Sequence, residues 1–178
     1  MVCMRQQNNI ALIGMAGVGK SYIGKKVSVI SNYEYMETDK LIAKQANQEG
    51  KRYHDLSDDN FLRIEKDVFM NIGDLSGKVI DTGASVIYDQ DVMRKIAEFA
   101  HVVYIEDSID VIKDRFNARG PVPLMRIEGK TFEQLFTERQ PLYEKYAQSR
   151  VTRNRFRDND AQMVAEQILE FVRDVNIL

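Results

Sequence analysis

The 178-residue sequence contains one cysteine, three prolines and no tryptophan. Because Cys3 has no second cysteine to pair with, no disulfide can form within the chain, and a reducing compartment is favoured. Residues 1–9 lack an apolar core of signal-peptide length, and no later stretch approaches the roughly 20 apolar residues that span a bilayer. The sequence therefore predicts a cytoplasmic protein with no membrane partner.

A surplus of basic charge is also absent. The 25 lysines and arginines are outnumbered by 27 acidic residues, which gives a net charge of -2 and argues against binding to nucleic acid. His54 and His101 are the only histidines and lie far apart, without the spacing of zinc ligands. Hydrophobic residues make up 44% of the chain, enough for one sizeable core. We expect a monomer with a single domain over residues 1–178.

Short apolar runs alternate along the chain with segments of helical periodicity, which is the pattern of a parallel sheet covered by helices. Apolar residues at helical spacing predict helices near 23–30, 61–72 and 92–99, and two more are predicted to begin at Thr131 and near Asp160. The predicted fold is a doubly wound α/β domain with a five-stranded parallel sheet and an active site at the carboxyl ends of its strands. The predicted strands are 10–13, 33–36, 79–81, 102–105 and 150–152.

The clearest motif is the segment GMAGVGKS at residues 14–21, which fits the P-loop pattern G-x-x-x-x-G-K-[ST]. An apolar strand leads into it and an amphipathic helix leaves it, as the motif requires. Glycines let backbone N–H groups turn toward phosphate oxygens, and the helix N-terminus adds about half a unit of positive charge. The residues expected to bind the phosphates of ATP are Gly14, Ala16, Gly17, Val18, Gly19, Lys20, Ser21 and Tyr22.

Three residues are expected to act on the transferred phosphoryl group and its metal. Lys20 would bridge the β- and γ-phosphates, and the Ser21 hydroxyl would ligate Mg²⁺. Asp81 ends an apolar strand, as does the Walker-B acid that reaches Mg²⁺ through water; the alternative is a turn residue at a strand end. ATP and Mg²⁺ are therefore the predicted cofactors.

The rest of the chain narrows the class of P-loop protein. The Asn-Lys-x-Asp motif of GTPases is absent, and the chain is too short for a motor or transporter ATPase. Small kinases remain, and these cover the acceptor with a moving lid so that water does not take the phosphoryl group. Residues 117–130 contain two prolines, two glycines and three basic residues with little periodicity. They predict a long mobile loop suited to that role.

The sequence resembles the shikimate kinase family over most of its length, and four segments beyond the P-loop carry the resemblance. The family has Asp-x-Asp after the second strand, where this chain has Glu37-Thr-Asp39, and its Phe-Arg-x-x-Glu helix is echoed by Phe61-Leu-Arg-Ile-Glu65. The family's Thr-Gly-Gly-Gly segment corresponds to Thr-Gly83-Ala-Ser85. Its Arg-x-Pro-Leu-Tyr element is present as Arg139-Gln-Pro-Leu-Tyr143.

The resemblance implies a P-loop NTPase fold of the nucleoside-monophosphate-kinase type, and ATP-dependent transfer to a hydroxyl of a small metabolite. Asp39 would contact the acceptor hydroxyl as base or orienting group, and with Lys20 would form the catalytic pair. Glu37 would help to hold Mg²⁺ through water, beside Ser21 and Asp81.

The resemblance also implies the residues at the two ends of the site. Gly83 and Arg139 would join Asp39 in binding the acceptor, because a guanidinium fork matches a carboxylate. The implied acceptor is a polyol that carries a carboxylate. The implied lid spans about residues 115–130. The residues implied for adenine binding and for the lid are Arg115, Arg119 and Arg157.

The acceptor half departs from the family pattern. Leu62 stands where the family has an acceptor-binding arginine, and Arg63, one residue on, would point about 100° away on a helix. Ala84 and Ser85 replace glycines of the pocket floor, and Val122 replaces a lid arginine. These departures leave two alternatives open: a kinase for a different small acid or nucleotide, and a nucleotide-binding protein without transfer activity.

Overall fold

The computed structural model describes residues 9–73, 75–118, 124, 128–153 and 160–174. Five parallel strands form one sheet in the order β2-β3-β1-β4-β5. This architecture confirms the predicted doubly wound α/β fold and each of its predicted strands to within one residue at either end. The strands are β1 (Asn9–Ile13), β2 (Glu34–Glu37), β3 (Lys78–Asp81), β4 (His101–Glu106) and β5 (Ser149–Thr152).

Seven helices lie within the described residues, together with short 3-10 turns at Tyr53–Asp55 and Val86–Tyr88. Side chains cap three of the helix starts: Ser57 and Asp89 each accept backbone N–H bonds, and Thr131 forms the predicted capping box with Gln134. The helices are α1 (Lys20–Ser31), α2 (Thr38–Gln48), α3 (Asp58–Met70), α4 (Gln90–Phe99), α5 (Ile109–Ala118), α6 (Phe132–Tyr146) and α7 (Asp160–Asp174).

Two of the seven helices were not predicted: α2 and, later in the chain, α5. Residues 115–118, where the expected lid begins, lie in α5. Of the other positions singled out for the lid and the adenine site, Arg119, Val122 and Arg157 lie outside the described residues.

The main core lies on both faces of the sheet. Every residue of β1 is buried, as are five of the six in β4, because helices cover the sheet on both sides. A smaller apolar cluster joins α2 to α3, and Leu62 packs against it. Among the described helices, none combines the length and apolar character that a bilayer crossing requires.

The strand order places the candidate site. The connections that leave β1 and β3 run in opposite directions across the sheet, so a crevice opens outside the carboxyl ends of these neighbouring strands. The loop after β1 and the loop after β3 border this crevice, and β2 ends beside β3 with Glu37 paired in register with Asp81. The predicted phosphate loop and the acidic residues therefore meet at one edge of the sheet.

Candidate active site

The loop between β1 and α1 forms a phosphate cradle. Gly19, the N-cap of α1, has a φ of 98°, a left-handed conformation that favours glycine, and a Cβ there would collide with the Arg153 guanidinium. Lys20 opens the helix, so the first backbone N–H groups of α1 have no partner within the helix. N–H groups and a helix dipole at one point suit a bound anion, and the cradle fits the phosphates of ATP.

Two buried cations hold this loop in shape. Lys20 Nζ donates to the carbonyl oxygens of Gly14, at 2.8 Å, and of Met15, at 3.3 Å. From the end of β5, Arg153 donates through Nη1 to the carbonyl oxygen of Val18. These bonds join the two ends of the cradle and keep positive charge beside the place where phosphates would bind.

Hydroxyl and carboxylate oxygens cluster next to the cradle. The Tyr35 hydroxyl donates to Asp81 Oδ2 at 2.7 Å and also shares a hydrogen bond with the Ser21 hydroxyl. Burial and the bond to Asp81 raise the pKa of Tyr35, so its hydroxyl stays protonated at neutral pH. Thr38 donates to the backbone oxygen of Asp81 at 3.0 Å. Oxygen ligands of this kind are those that Mg²⁺ prefers, so Ser21 and Asp81 fit the predicted metal site.

Asp39 lies in the first turn of α2, between the cradle and the far end of the cavity. Its side chain is open to solvent from the cavity, but the protein around it removes part of its hydration and so raises the pKa of its carboxyl. The charge of Asp81 raises this pKa further, whereas Lys20 and a hydrogen bond from Tyr53 lower it. The Asp39 carboxylate therefore lies beside the Lys20 cation and can contact a ligand that enters the cavity.

The loop after β3 forms the floor of the cavity. A Cβ at Gly83 would lie 2.8 Å from Glu65 Oε1 and 3.5 Å from Asp39 Oδ1, so a side chain at this position would push between two carboxyl groups. The Tyr143 hydroxyl donates to the Ala84 carbonyl at 2.7 Å and ties the loop to α6. Ala84 and Ser85, which stand at positions where the resemblance implies glycines, both line the cavity.

Arg139 reaches the same cavity from α6. It is 1% exposed, its Nε donates to the Tyr88 hydroxyl at 3.2 Å, and its guanidinium lies 5.3 Å from the centre of the Tyr88 ring. The Tyr88 hydroxyl in turn donates to Glu138 at 2.7 Å. These contacts fix the direction of the guanidinium, which is the group expected to bind a carboxylate.

The structure brings most of the predicted residues around one cavity of about 430 Å³. The predicted residues that line it are Ala16, Gly17, Gly19, Lys20, Ser21, Asp39, Asp81, Gly83 and Arg139.

Five other predicted residues that the structure describes do not line this cavity. Gly14 and Val18 are buried in the loop, Tyr22 is 57% exposed, and Glu37 pairs with Lys40 at 2.9 Å. Arg115, predicted to stack on adenine, donates to the buried carboxylate of Asp107 at 2.6 Å.

Several residues of the site were missed by sequence reasoning. Tyr35, Tyr53 and Tyr88 were given no role, because tyrosine has no spacing that separates a ligand contact from ordinary packing. Arg153 was not identified at all. Glu65 belongs to the motif at residues 61–65 and was given no role. Its place in that motif, as a carboxylate, was the signal that could have identified it.

Replacing Tyr35 with phenylalanine is expected to raise the Mg²⁺ concentration for half-maximal activity by about tenfold, because outer-shell partners typically change metal affinity 10- to 100-fold. The variant loses the Tyr35 hydroxyl that contacts both Ser21 and Asp81, so the side-chain oxygens of these two residues are no longer held toward the metal site. Mg²⁺ titrations of ADP release, with Mn²⁺ binding measured in parallel, check this. Tyr146→Phe removes a hydroxyl outside the site and serves as control; equal Mg²⁺ dependence in both variants would refute the role of Tyr35.

A phosphate cradle that faces carboxylates and an arginine across one cavity defines a P-loop kinase of a small molecule. The family model described as "Shikimate kinase" matches residues 16–173. Shikimate kinase of Wigglesworthia glossinidia brevipalpis is 32% identical over 93% of this chain and 96% of its own, and shikimate kinase 1 of Escherichia fergusonii is 30% identical over 95% and 98%. The chain belongs to the shikimate kinase family.

The solved structures agree on the fold. Shikimate kinase from Acinetobacter baumannii in complex with shikimate superposes with a TM-score of 0.77 over 96% of this chain and 95% of its own, at 19% identity. With the family established, the chain is an enzyme that transfers a phosphoryl group from ATP to a hydroxyl of a small metabolite. These relatives do not favour the alternatives of another acid or nucleotide acceptor or of a protein without transfer activity.

Proposed function

We propose that this kinase binds ATP with Mg²⁺ and transfers the γ-phosphoryl group to a hydroxyl of shikimate. One observation carries the proposal: a single cavity joins the phosphate cradle to Asp39 and, at its other end, to the Arg139 guanidinium. The names of the relatives and the shikimate in the Acinetobacter structure support shikimate as the acceptor.

The residues at the phosphate end bind and orient the donor. Gly17 and Gly19 let backbone N–H groups face the phosphates, and Lys20 neutralises charge on the β- and γ-phosphates. Ser21 and Asp81 would hold Mg²⁺, with Glu37 contributing through water. When bound, the metal neutralises negative charge that develops on the phosphate oxygens.

Asp39 acts at the acceptor hydroxyl. The hydroxyl oxygen forms a bond to the γ-phosphorus, the bond between that phosphorus and the bridging oxygen breaks, and ADP leaves with the electron pair. The hydroxyl proton passes to Asp39, whose partly desolvated carboxylate sits beside Lys20. Tyr53 holds the Asp39 carboxylate by a hydrogen bond and so fixes its direction.

The remaining groups position the acceptor and exclude water. Arg139 would bind the acceptor carboxylate, and Gly83 would line the acceptor pocket, where its missing side chain leaves the Glu65 and Asp39 carboxyl groups undisturbed. Arg115, Arg119 and Arg157 are proposed for the adenine and lid contacts, in a lid over about residues 115–130 that keeps water from the phosphoryl group. A single domain, a monomeric state, a cytoplasmic location and the lack of nucleic-acid binding stay predictions from composition.

The direct test is ADP release from ATP with Mg²⁺, measured with and without shikimate. Turnover that depends on shikimate supports the proposal. Phosphate release that shikimate does not change, in a protein that binds ATP, would contradict it. Equal turnover with other hydroxylated acids would show a broader acceptor range than proposed.

Replacing Arg139 with lysine is expected to raise the KM for shikimate about ten- to a hundredfold and leave the KM for ATP within about twofold. Lysine keeps the positive charge and loses the planar fork that binds both carboxylate oxygens, a loss of roughly 1.5–3 kcal/mol. Steady-state kinetics with each substrate varied in turn measures both constants. Arg150→Lys, at an exposed arginine that pairs with Glu106, is the matched control; a rise in the KM for ATP alone would place Arg139 at the wrong end of the site.

A further inference from the structure

A buried carboxyl group lies directly beneath the acceptor end of the cavity. Glu65, on α3, is 2% exposed, and the Ser85 hydroxyl lies 3.2 Å from its Oε2 and 3.4 Å from its Oε1. Gly83 and Ser85 line the cavity and separate Glu65 from it. Glu65 therefore acts on the acceptor site through the field of its charge and through Ser85.

The cations of α3 are turned away from Glu65. Arg63 pairs with Glu49 and Asp67 at the surface, as the predicted rotation requires, and Lys66 pairs with Asp89 and Asp91. Leu62 occupies the position of the family's arginine and packs in the cluster between α2 and α3. A salt bridge from its own helix therefore does not neutralise Glu65.

The charges that face Glu65 from neighbouring elements are mostly negative. Asp39 of α2 and Asp89 before α4 raise the pKa of Glu65, and Arg139 of α6 and the Ser85 hydroxyl lower it. Tyr53, in the 3-10 turn, has its own pKa raised by burial and by the charges of Asp39 and Glu65. Burial is the largest effect on Glu65 and, with these neighbours, raises its pKa to about 8.

We infer that Glu65 sets the pH range over which this enzyme binds its acceptor: as a neutral carboxyl group it permits an anionic acceptor beside Arg139, and once ionised it weakens acceptor binding. The inference rests on the proposed function, because it concerns the binding of shikimate, whose carboxylate is negative at neutral pH. An ionised Glu65 would add a second negative charge next to Asp39 and offset part of the attraction of Arg139. Acceptor affinity should therefore fall as the pH rises.

Calorimetric titration with shikimate between pH 6.5 and 9.5 tests the inference. The dissociation constant of the wild-type protein should rise by about tenfold over this pH range, because ionised Glu65 adds one negative charge whose repulsion of the acceptor is partly screened. Glu65→Gln keeps the size and polarity of the side chain and cannot ionise. Over the whole pH range its dissociation constant should therefore stay near the value that the wild type has at pH 6.5. Glu98→Gln, at an exposed glutamate of α4 that pairs with Lys95, is the matched control and should follow the wild type.

A second variant separates a role in charge from a role in packing. The Ser85 hydroxyl lowers the pKa of Glu65, so Ser85→Ala should move the midpoint of the pH profile to higher pH. A defect in packing alone would change the dissociation constant by the same factor at every pH and leave the midpoint in place.

The folded state gives a readout that does not require shikimate. A carboxyl group whose pKa is raised on folding holds its proton longer in the folded protein, so the unfolding midpoint in urea should fall as the pH rises from about 5 toward 8. The fall should be smaller in Glu65→Gln than in Glu98→Gln. Equal slopes in the two variants would overturn the assignment of the proton to Glu65.

The outcomes distinguish the inference from the function on which it rests. Shikimate binding that weakens with pH in the wild type and not in Glu65→Gln supports the inference. Binding that is constant with pH in the wild type, or that weakens equally in Glu65→Gln, overturns the inference and leaves the proposed function intact. Absence of shikimate binding at every pH would contradict the proposed function and the inference together.

Discussion

Replacing Lys20 with alanine is expected to lower kcat by about 10²- to 10³-fold, the cost of removing one preorganised group from the developing charge of a transition state. Lys20 Nζ lies inside the cradle, bonded to the carbonyl oxygens of Gly14 and Met15, and supplies positive charge where the β- and γ-phosphates would bind. Alanine cannot replace that charge, although it is well tolerated in the first turn of a helix. Shikimate-dependent ADP release under saturating substrates measures the loss.

The control for this variant is Lys26→Ala, which removes a lysine from the same helix at a side chain that lies over the Tyr22 ring. It should retain at least about half of the wild-type kcat, because surface substitutions away from special features change little. The circular dichroism spectra of the two variants should agree. Activity of Lys20→Ala within tenfold of the wild type would show that the cradle does not act through this lysine.

Much of the fold and of the phosphate half could be predicted because the signals are local in sequence. The P-loop pattern specifies its residue types within eight positions. The apolar runs of a fully covered parallel sheet are continuous, so each strand can be recognised from its own segment of the sequence. The start of α6 was also predictable, because Thr131 and Gln134 satisfy each other's backbone groups three residues apart.

Helix α5 was missed because its helical spacing, carried by Ile109, Ile112 and Phe116, is short and its buried face is small. Within Ile109–Ala118, Ile112 alone is fully buried, and the rest of the helix is partly or wholly exposed. Such a segment is hard to distinguish from a polar loop when a glycine and two prolines follow it closely in the sequence.

The contacts that tune the site could not be predicted, because they join residues far apart in the sequence. Tyr35 meets Asp81 across 46 residues only because β2 pairs with β3 in a register that sets Glu37 opposite Asp81. Ser85 meets Glu65 because α3 and the loop after β3 pack together at the floor of the cavity. Sequence reasoning did identify Leu62 and Ser85 as unusual, but their effect on the charge of Glu65 needed the geometry.

Replacing Asp39 with asparagine is expected to lower kcat by about 10²- to 10⁴-fold, the usual contribution of a positioned general base. Asparagine has nearly the same shape, so the hydrogen bond to Tyr53 and the start of α2 should persist while the ability to take a proton is lost. The affinity for ADP should stay within about threefold of the wild type, because the cradle is unchanged. Single-turnover kinetics and calorimetric titration with ADP measure the two quantities separately.

The matched control for Asp39 is Asp67→Asn, at a carboxylate of α3 that pairs with Arg63 at the surface. It should keep kcat close to the wild-type value. A parallel loss of ADP binding and kcat in Asp39→Asn would mean that this carboxylate holds the nucleotide and its metal rather than the acceptor hydroxyl. Full activity would remove Asp39 from the mechanism and direct the search for the proton acceptor to Asp81 and His54, which also line the cavity.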